Sequence, residues 1–239
     1  MRRAALALLV AALAGCGGQR ASGTATLWIT RDEGRTVMLS ASVPAGETAL
    51  QALERKAKVD TRYGGRFVTS VNGIAGSASA RRDWFYYVNG IEADRGAADY
   101  TLRPGDVEWW DLRSWDLSHP DVSIVVGAFP EPFLHGYDGR VRPTVVRYDD
   151  PAAAPTARAL GRLVRARSVA ATGVAVPAGA DLVHVEGHGP CVTDACRHFF
   201  SASNGGDAQG PATFAVFAGG AERLVRDPTL ARRRYGGLR

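Results

Sequence analysis

The densest run of chemistry-bearing side chains lies late in the chain, from His184 through Glu186, His188, Cys191 and Asp194 to Cys196 and His198. Thiolates and imidazoles are the ligands of tetrahedral zinc, so Cys191, Cys196 and one or two of His188 and His198 compose one ligand set. Four residues separate the two cysteines, which equally suits a disulfide closing a short loop, and free thiols are a third alternative. Export signals at the N-terminus, described below, imply an oxidising compartment and favour the Cys191–Cys196 bridge, so no metal site is assigned. Such a bridge would stabilise by about 2 kcal/mol in the chain-entropy picture. A second polar group, Glu131 and His135, lies in the Pro-aromatic stretch from Phe129 to Tyr137. With His184, His188, Glu186 or Asp194 these residues form an acid/base set only if the fold assembles them. The chain contains no G-x-S-x-G, no H-E-x-x-H and no P-loop, and Gly187-His188-Gly189 is a bare G-x-G. No catalytic residue is assigned, and no enzyme is expected.

The other conspicuous stretch is Asp83-Trp84-Phe85-Tyr86-Tyr87-Val88-Asn89-Gly90. Five consecutive aromatic or β-branched residues suit a pleated strand. Trp84, Tyr86 and Val88 then face one way, and Phe85 and Tyr87 the other. Asn89-Gly90 supplies the positive-φ positions of a tight hairpin turn. A strand apolar on both faces is either central or lines a ligand site, and this one reads as a recognition surface.

These groups must be positioned by elements, and the chain announces several. Arg2 and Arg3 precede an apolar run, residues 4–13, of signal-peptide length and too short to span a bilayer. It ends in Leu13-Ala14-Gly15-Cys16, which resembles a bacterial lipobox. Residues 1–15 are therefore expected to be a lipoprotein signal peptide, Cys16 the lipidated residue, and 16–23 a tether. Two acyl chains, such as palmitate, anchor stably where one binds marginally. Removing residues 1–15 leaves 224 residues, enough for two domains, and lowers the formal charge from +5 to +3. The remaining arginines are scattered apart from Arg232-Arg233-Arg234, which reads as the solvated end of a last helix. So diffuse a charge gives no reason to expect nucleic acid as a partner.

Residues 24–30 and 35–43 alternate around the polar turn Arg31-Asp32-Glu33-Gly34 and predict a hairpin. Thr48 with Gln51 is a capping-box signature, and Leu50, Leu53 and Ala57 recur at helical spacing, predicting a helix from Thr48 to about Lys58. Residues 66–71, the aromatic strand and residues 107–113 complete a β-grasp-like domain over 24–117, one helix lying across a mixed sheet. The helix hides one sheet face, and the other is expected to remain available for a ligand or partner. Trp109 and Trp110 must point to opposite faces.

The ordered set formed by residues 83–90, Gly96-Ala97-Ala98-Asp99-Tyr100, Gly105-Asp106 and the strand running to Trp115 resembles the C-terminal β domain of the transcobalamin and intrinsic factor family. The resemblance covers about 90 residues and extends to the family's bacterial relatives, typically exported or lipid-anchored. It implies a β-grasp fold and cobalamin or another corrinoid as ligand, contacted here by Trp84, Phe85 and Tyr86. Residues 24–118 contain neither His nor Cys, so a cobalt ligand would have to come from a histidine of the second half.

In that half, residues 120–239, the apolar run 122–128 predicts a buried strand. Further strands are predicted at 143–148, 181–185 and 213–217, a helix at 156–167, and a last helix starting at Asp227-Pro228. Alternating strands and helices indicate a small α/β domain. The fold class is thus α+β, a β-grasp-like domain followed by an α/β domain. The expected function is non-catalytic ligand binding by a membrane-anchored extracytoplasmic lipoprotein, the alternative being a cell-surface protein-interaction module.

Overall fold

Strand-forming residues dominate the first half of the chain, and strands dominate its structure. A computed structural model describes residues 23–115, 124–125, 127–186, 200–201, 214–218 and 221–235. In chain order the elements are β1 (Thr24–Arg31), β2 (Thr36–Pro44), α1 (Ala49–Glu54), β3 (Val59–Arg62), β4 (Phe67–Val71), β5 (Ile74–Ala75), β6 (Arg82–Val88), β7 (Ile91–Glu92) and β8 (Val107–Ser114). Then follow α2 (Glu131–Leu134), β9 (Thr144–Tyr148), α3 (Ala154–Leu163), β10 (Ser168–Ala171), β11 (Asp181–Glu186), β12 (Phe200–Ser201), β13 (Phe214–Ala218) and α4 (Ala221–Arg226). The class is α+β, as the sequence predicts.

The first sheet has the order β2-β1-β8-β6-β7, with β1 and β8 parallel and the other pairs antiparallel. The predicted hairpin of β1 and β2 forms, with Asp32, Glu33 and Gly34 all at positive φ in its turn. The capping box forms too: Gln51 N donates to Thr48 Oγ1 at 3.1 Å, and Thr48 N donates to Gln51 Oε1 at 2.9 Å. The helix is shorter than its apolar periodicity predicts. Asn72 holds Lys58 from both sides, donating its N–H to Lys58 O at 2.7 Å and accepting from Lys58 N at 2.9 Å. That contact turns the chain into β3, which joins β4 and β5 in a small second sheet.

Helix α1 buries Ala49, Ala52 and Leu53 against Leu27, Ile29, Trp84, Tyr86, Val88, Trp110 and Leu112. The opposite sheet face carries Trp28, Tyr87, Val107 and Trp109. Trp109 and Trp110 thus enter different cores, as strand alternation demands.

The second half builds a sheet of order β10-β9-β11-β13-β12, parallel except for β12. Helix α3 covers it through Ala157 and Leu160, with α4 adding Leu224. Two expectations need correction. The run 122–128 contributes no strand among its described residues; Ile124 and Val125 are fully buried in a turn against the first sheet. Among the described residues the last helix ends at Arg226, and none begins at Asp227. A residue preceding proline disfavours helical backbone, and the Asp227 carboxylate instead accepts from Thr229 N and Thr229 Oγ1, at 2.9 and 2.7 Å, in the following turn.

Candidate functional site

The aromatic strand β6 divides its side chains as predicted, but both faces are covered. Trp84 and Tyr86 are buried under α1; Trp84 Nε1 donates to Ile74 O at 2.9 Å, and Tyr86 lies stacked on Trp110 with centroids 4.9 Å apart. Phe85 lies on the opposite face, half-buried, with the Arg113 guanidinium 3.8 Å above its ring centroid. Arg113 is itself buried and donates from Nε to Tyr87 Oη at 2.7 Å and from Nη2 to Glu92 Oε2 at 3.5 Å. The three residues predicted to contact ligand therefore do not form one surface: Trp84 and Tyr86 belong to the core, and Phe85 points away from both.

The sheet face expected to stay open is filled by the rest of the chain. Ile124 and Tyr235 pack among Trp28, Tyr87 and Trp109. Tyr235 meets Trp109 edge-on at 5.4 Å and Tyr87 at 6.0 Å. Arg233 places its guanidinium 5.2 Å from the Trp28 centroid, and its backbone N–H donates to Gly127 O at 2.8 Å. The Arg232-Arg233-Arg234 cluster, expected as the solvated end of a helix, is a turn that closes this face. Burial, reinforced by the neighbouring Arg232, lowers the proton affinity of the Arg233 guanidinium.

Asn89-Gly90 forms the predicted turn, with φ of 51° and 78°, but it is an inward-facing one. Asn89 is fully buried and donates from Nδ2 to Asp106 Oδ1 at 2.9 Å and to Gly136 O at 2.7 Å, while its Oδ1 accepts from Val107 N at 2.8 Å. A Cβ on Gly90 would lie 2.8 Å from Val125 Cα and 3.0 Å from Ile124 O. The hairpin end is thus the seat on which the second half rests.

Three carboxylates of this region are buried. Asp111 accepts from Thr30 Oγ1 at 2.5 Å, Glu33 N at 3.0 Å and Gly34 N at 3.2 Å, fixing the β1–β2 turn. Asp106 accepts from Asn89 and from Arg103 N. Burial raises the proton affinity of both, and their hydrogen bonds oppose the shift. Glu108 is deepest. Its Oε1 accepts from Trp110 Nε1 at 2.5 Å, and burial, aided by nearby Asp106, pushes its carboxyl well above the usual range. All three serve the scaffold.

His135 Nδ1 lies 2.7 Å from Glu131 Oε2, and its ring packs against Gly105. This is the one pair of the predicted acid/base candidates that the fold joins among the described residues. His184 lies half-buried on β11, with no hydrogen-bond partner for Nε2 among the described residues. Cys16, His188, Cys191, Asp194, Cys196 and His198 lie outside the described residues, and with them the lipidation, disulfide and zinc readings. Among the described residues no group of three or more His, Cys, Asp or Glu could hold a metal ion, and no helix is long and apolar enough to cross a membrane.

Sequence reading missed Arg113 and Tyr235. Arg113 offers a signal in retrospect, a lone cation in a strand that also carries Glu108 and Asp111, two residues before Trp115. Tyr235 offers none, because its partners lie over a hundred residues away.

Residues 46–114 match a family described as a domain of unknown function, DUF4430. Among solved structures, a protein from Ruminococcus gnavus provisionally described as metal binding aligns at 15% identity and a TM-score of 0.34, covering 39% of this chain and 99% of that one. Haptocorrin in complex with Cbi aligns at 17% identity and a TM-score of 0.31, covering 38% of this chain and 25% of haptocorrin. The alignment therefore spans about a quarter of haptocorrin's length. No curated protein matches the sequence.

Proposed function

We propose that this chain is a non-catalytic ligand-binding protein, held outside the cytoplasm by a lipid on Cys16, with a corrinoid or comparable flat cofactor as the ligand class. The ordered motif set from Asp83 to Trp115 motivates the ligand class. The observation that carries the reading is the half-buried Phe85 ring, an aromatic left partly open on a rigid sheet and backed by the buried Arg113 guanidinium 3.8 Å from its centroid. Flat, partly apolar ligands are bound by such aromatic faces with a few polar groups beside them. Trp84 and Tyr86 support this surface from beneath.

Calorimetry with cobalamin and cobinamide on the full-length chain tests the proposal. Micromolar or tighter binding that Phe85→Ala abolishes, with circular dichroism unchanged, is the expected result. Absence of binding to a folded protein would reject the corrinoid reading.

A second reading has its own observation. The β3–β4 hairpin presents Tyr63, 78% exposed, and Phe67, 40% exposed, beside Arg62 and Arg66. Exposed aromatics with arginine typify protein contacts. A protein-interaction module predicts self-association or partner capture that Tyr63→Ser weakens while Phe85→Ala does not.

A further inference from the structure

A cavity of about 290 Å³ opens in the second half, between the β9 entry and the turn that follows α3. Its rim carries Arg142, Arg165 and Arg167, and its apolar floor includes Phe133 and Val164. Thr144 also lines it. That residue is 3% exposed, and its hydroxyl has no hydrogen-bond partner among the described residues. No carboxylate lines the cavity, and none of the three arginines pairs with one among the described residues.

Each feature has a cost that a ligand would remove. A buried hydroxyl without a partner loses its hydration and gains nothing in return. Three arginines around one opening concentrate positive charge that an anion would offset. The walls are held together: Arg167 N donates to Thr144 O at 2.8 Å, and Ala166 N donates to Gly161 O at 2.8 Å. Arg165 adopts φ 51°, a backbone conformation uncommon for a side chain of this size. The opening is thus a formed concavity on sheet and helix-end backbone.

We propose that this cavity binds a phosphate-class oxyanion. The arginines would donate paired N–H groups to its oxygens, and the Thr144 hydroxyl would supply a further donor. Arginine's planar fork matches phosphate oxygens two at a time. The volume admits a phosphate with a small ester substituent resting on the apolar floor. Both free phosphate and the phosphodiester of a lipid headgroup present this chemistry. The site lies apart from Phe85 and stands whether or not a corrinoid binds there.

The test is thermal unfolding of the full-length chain, with inorganic phosphate in one arm and short-chain phosphatidylglycerol below its micelle concentration in the other. Sodium chloride at matched ionic strength is the control. At about a hundredfold excess over Kd, the productive ligand should raise Tm by ~5 °C beyond the control. The arm giving the larger shift identifies the source. Arg165→Gln combined with Arg167→Gln should abolish the shift, and Arg142→Gln should weaken it. Thr144→Val separates a built site from a diffuse positive surface. It should weaken ligand affinity roughly tenfold without lowering the ligand-free Tm. The proposal falls if neither ligand exceeds the salt control, if the double variant keeps the shift, or if Thr144→Val binds as the parent does.

Discussion

Glu108 carries a carboxyl that no solvent reaches, so its ionisation opposes folding. The unfolded chain ionises it near the ordinary value of 4.5, whereas the folded chain holds the proton to higher pH. Its favourable contribution is complete below that ordinary value and is lost as pH rises toward the folded value, by up to about 1.4 kcal/mol per pH unit. Glu108→Gln removes the titration and keeps an acceptor for Trp110 Nε1. Urea unfolding of parent and variant should therefore show their stability difference shifting toward the variant by about 1 kcal/mol or more between pH 5 and pH 7. Asp106 and Asp111 titrate in the same direction in both proteins, so a constant difference would show that Glu108 is ionised in the fold. The two neighbours in the aromatic strand should part company as well. Trp84→Ala opens a cavity beneath α1 and should cost about 3–5 kcal/mol; Phe85→Ala, half-exposed, should cost about 1–2 kcal/mol. Similar losses in urea melts would contradict the burial assigned to them.

Elements show where local sequence suffices. Thr48 and Gln51 specify the start of α1 through contacts only three residues apart, and Thr48→Ala should cost about 1 kcal/mol. The end of α1 was not legible, because Asn72 decides it from the turn between β4 and β5. Strand β3 was missed for a related reason: three of its four residues are exposed, so no alternating apolar face marks it. Asp227-Pro228 resembles a helix start in isolation, since Asp caps and Pro suits the first turn, yet α4 already precedes it. The apolar run 122–128 reads as a strand from composition, but its described residues serve as a wedge against Gly90. Gly90→Ala tests that wedge. It combines positive φ with a Cβ pressed on Val125 backbone, and a loss of about 2 kcal/mol in chemical unfolding is expected. An unchanged stability would mean the two halves do not meet there.

At the scale of the whole molecule, the outer face of the first sheet needs the far end of the chain. Tyr235→Ala should uncover Trp28 and Trp109, shifting tryptophan emission to the red and opening it to iodide quenching. Residues 23–115 produced alone should bind a hydrophobic dye and self-associate, because Trp28, Tyr87 and Trp109 would form an apolar surface patch. A monomeric fragment with parent-like emission would refute the covering role of the second half. The sequence by itself determined the strands rich in aromatic and β-branched residues, their in–out alternation, the hairpin turns and the capped start of α1. Those depend on steric and hydrogen-bonding preferences acting within a few residues. Only the tertiary structure decided that the aromatic strand is covered on both faces, that Asn89-Gly90 faces inward, and that Arg165 and Arg167 join Arg142 around the cavity lined by Thr144. Alternation says which residues share a face; what covers that face depends on segments a hundred residues away, whose approach no local preference encodes.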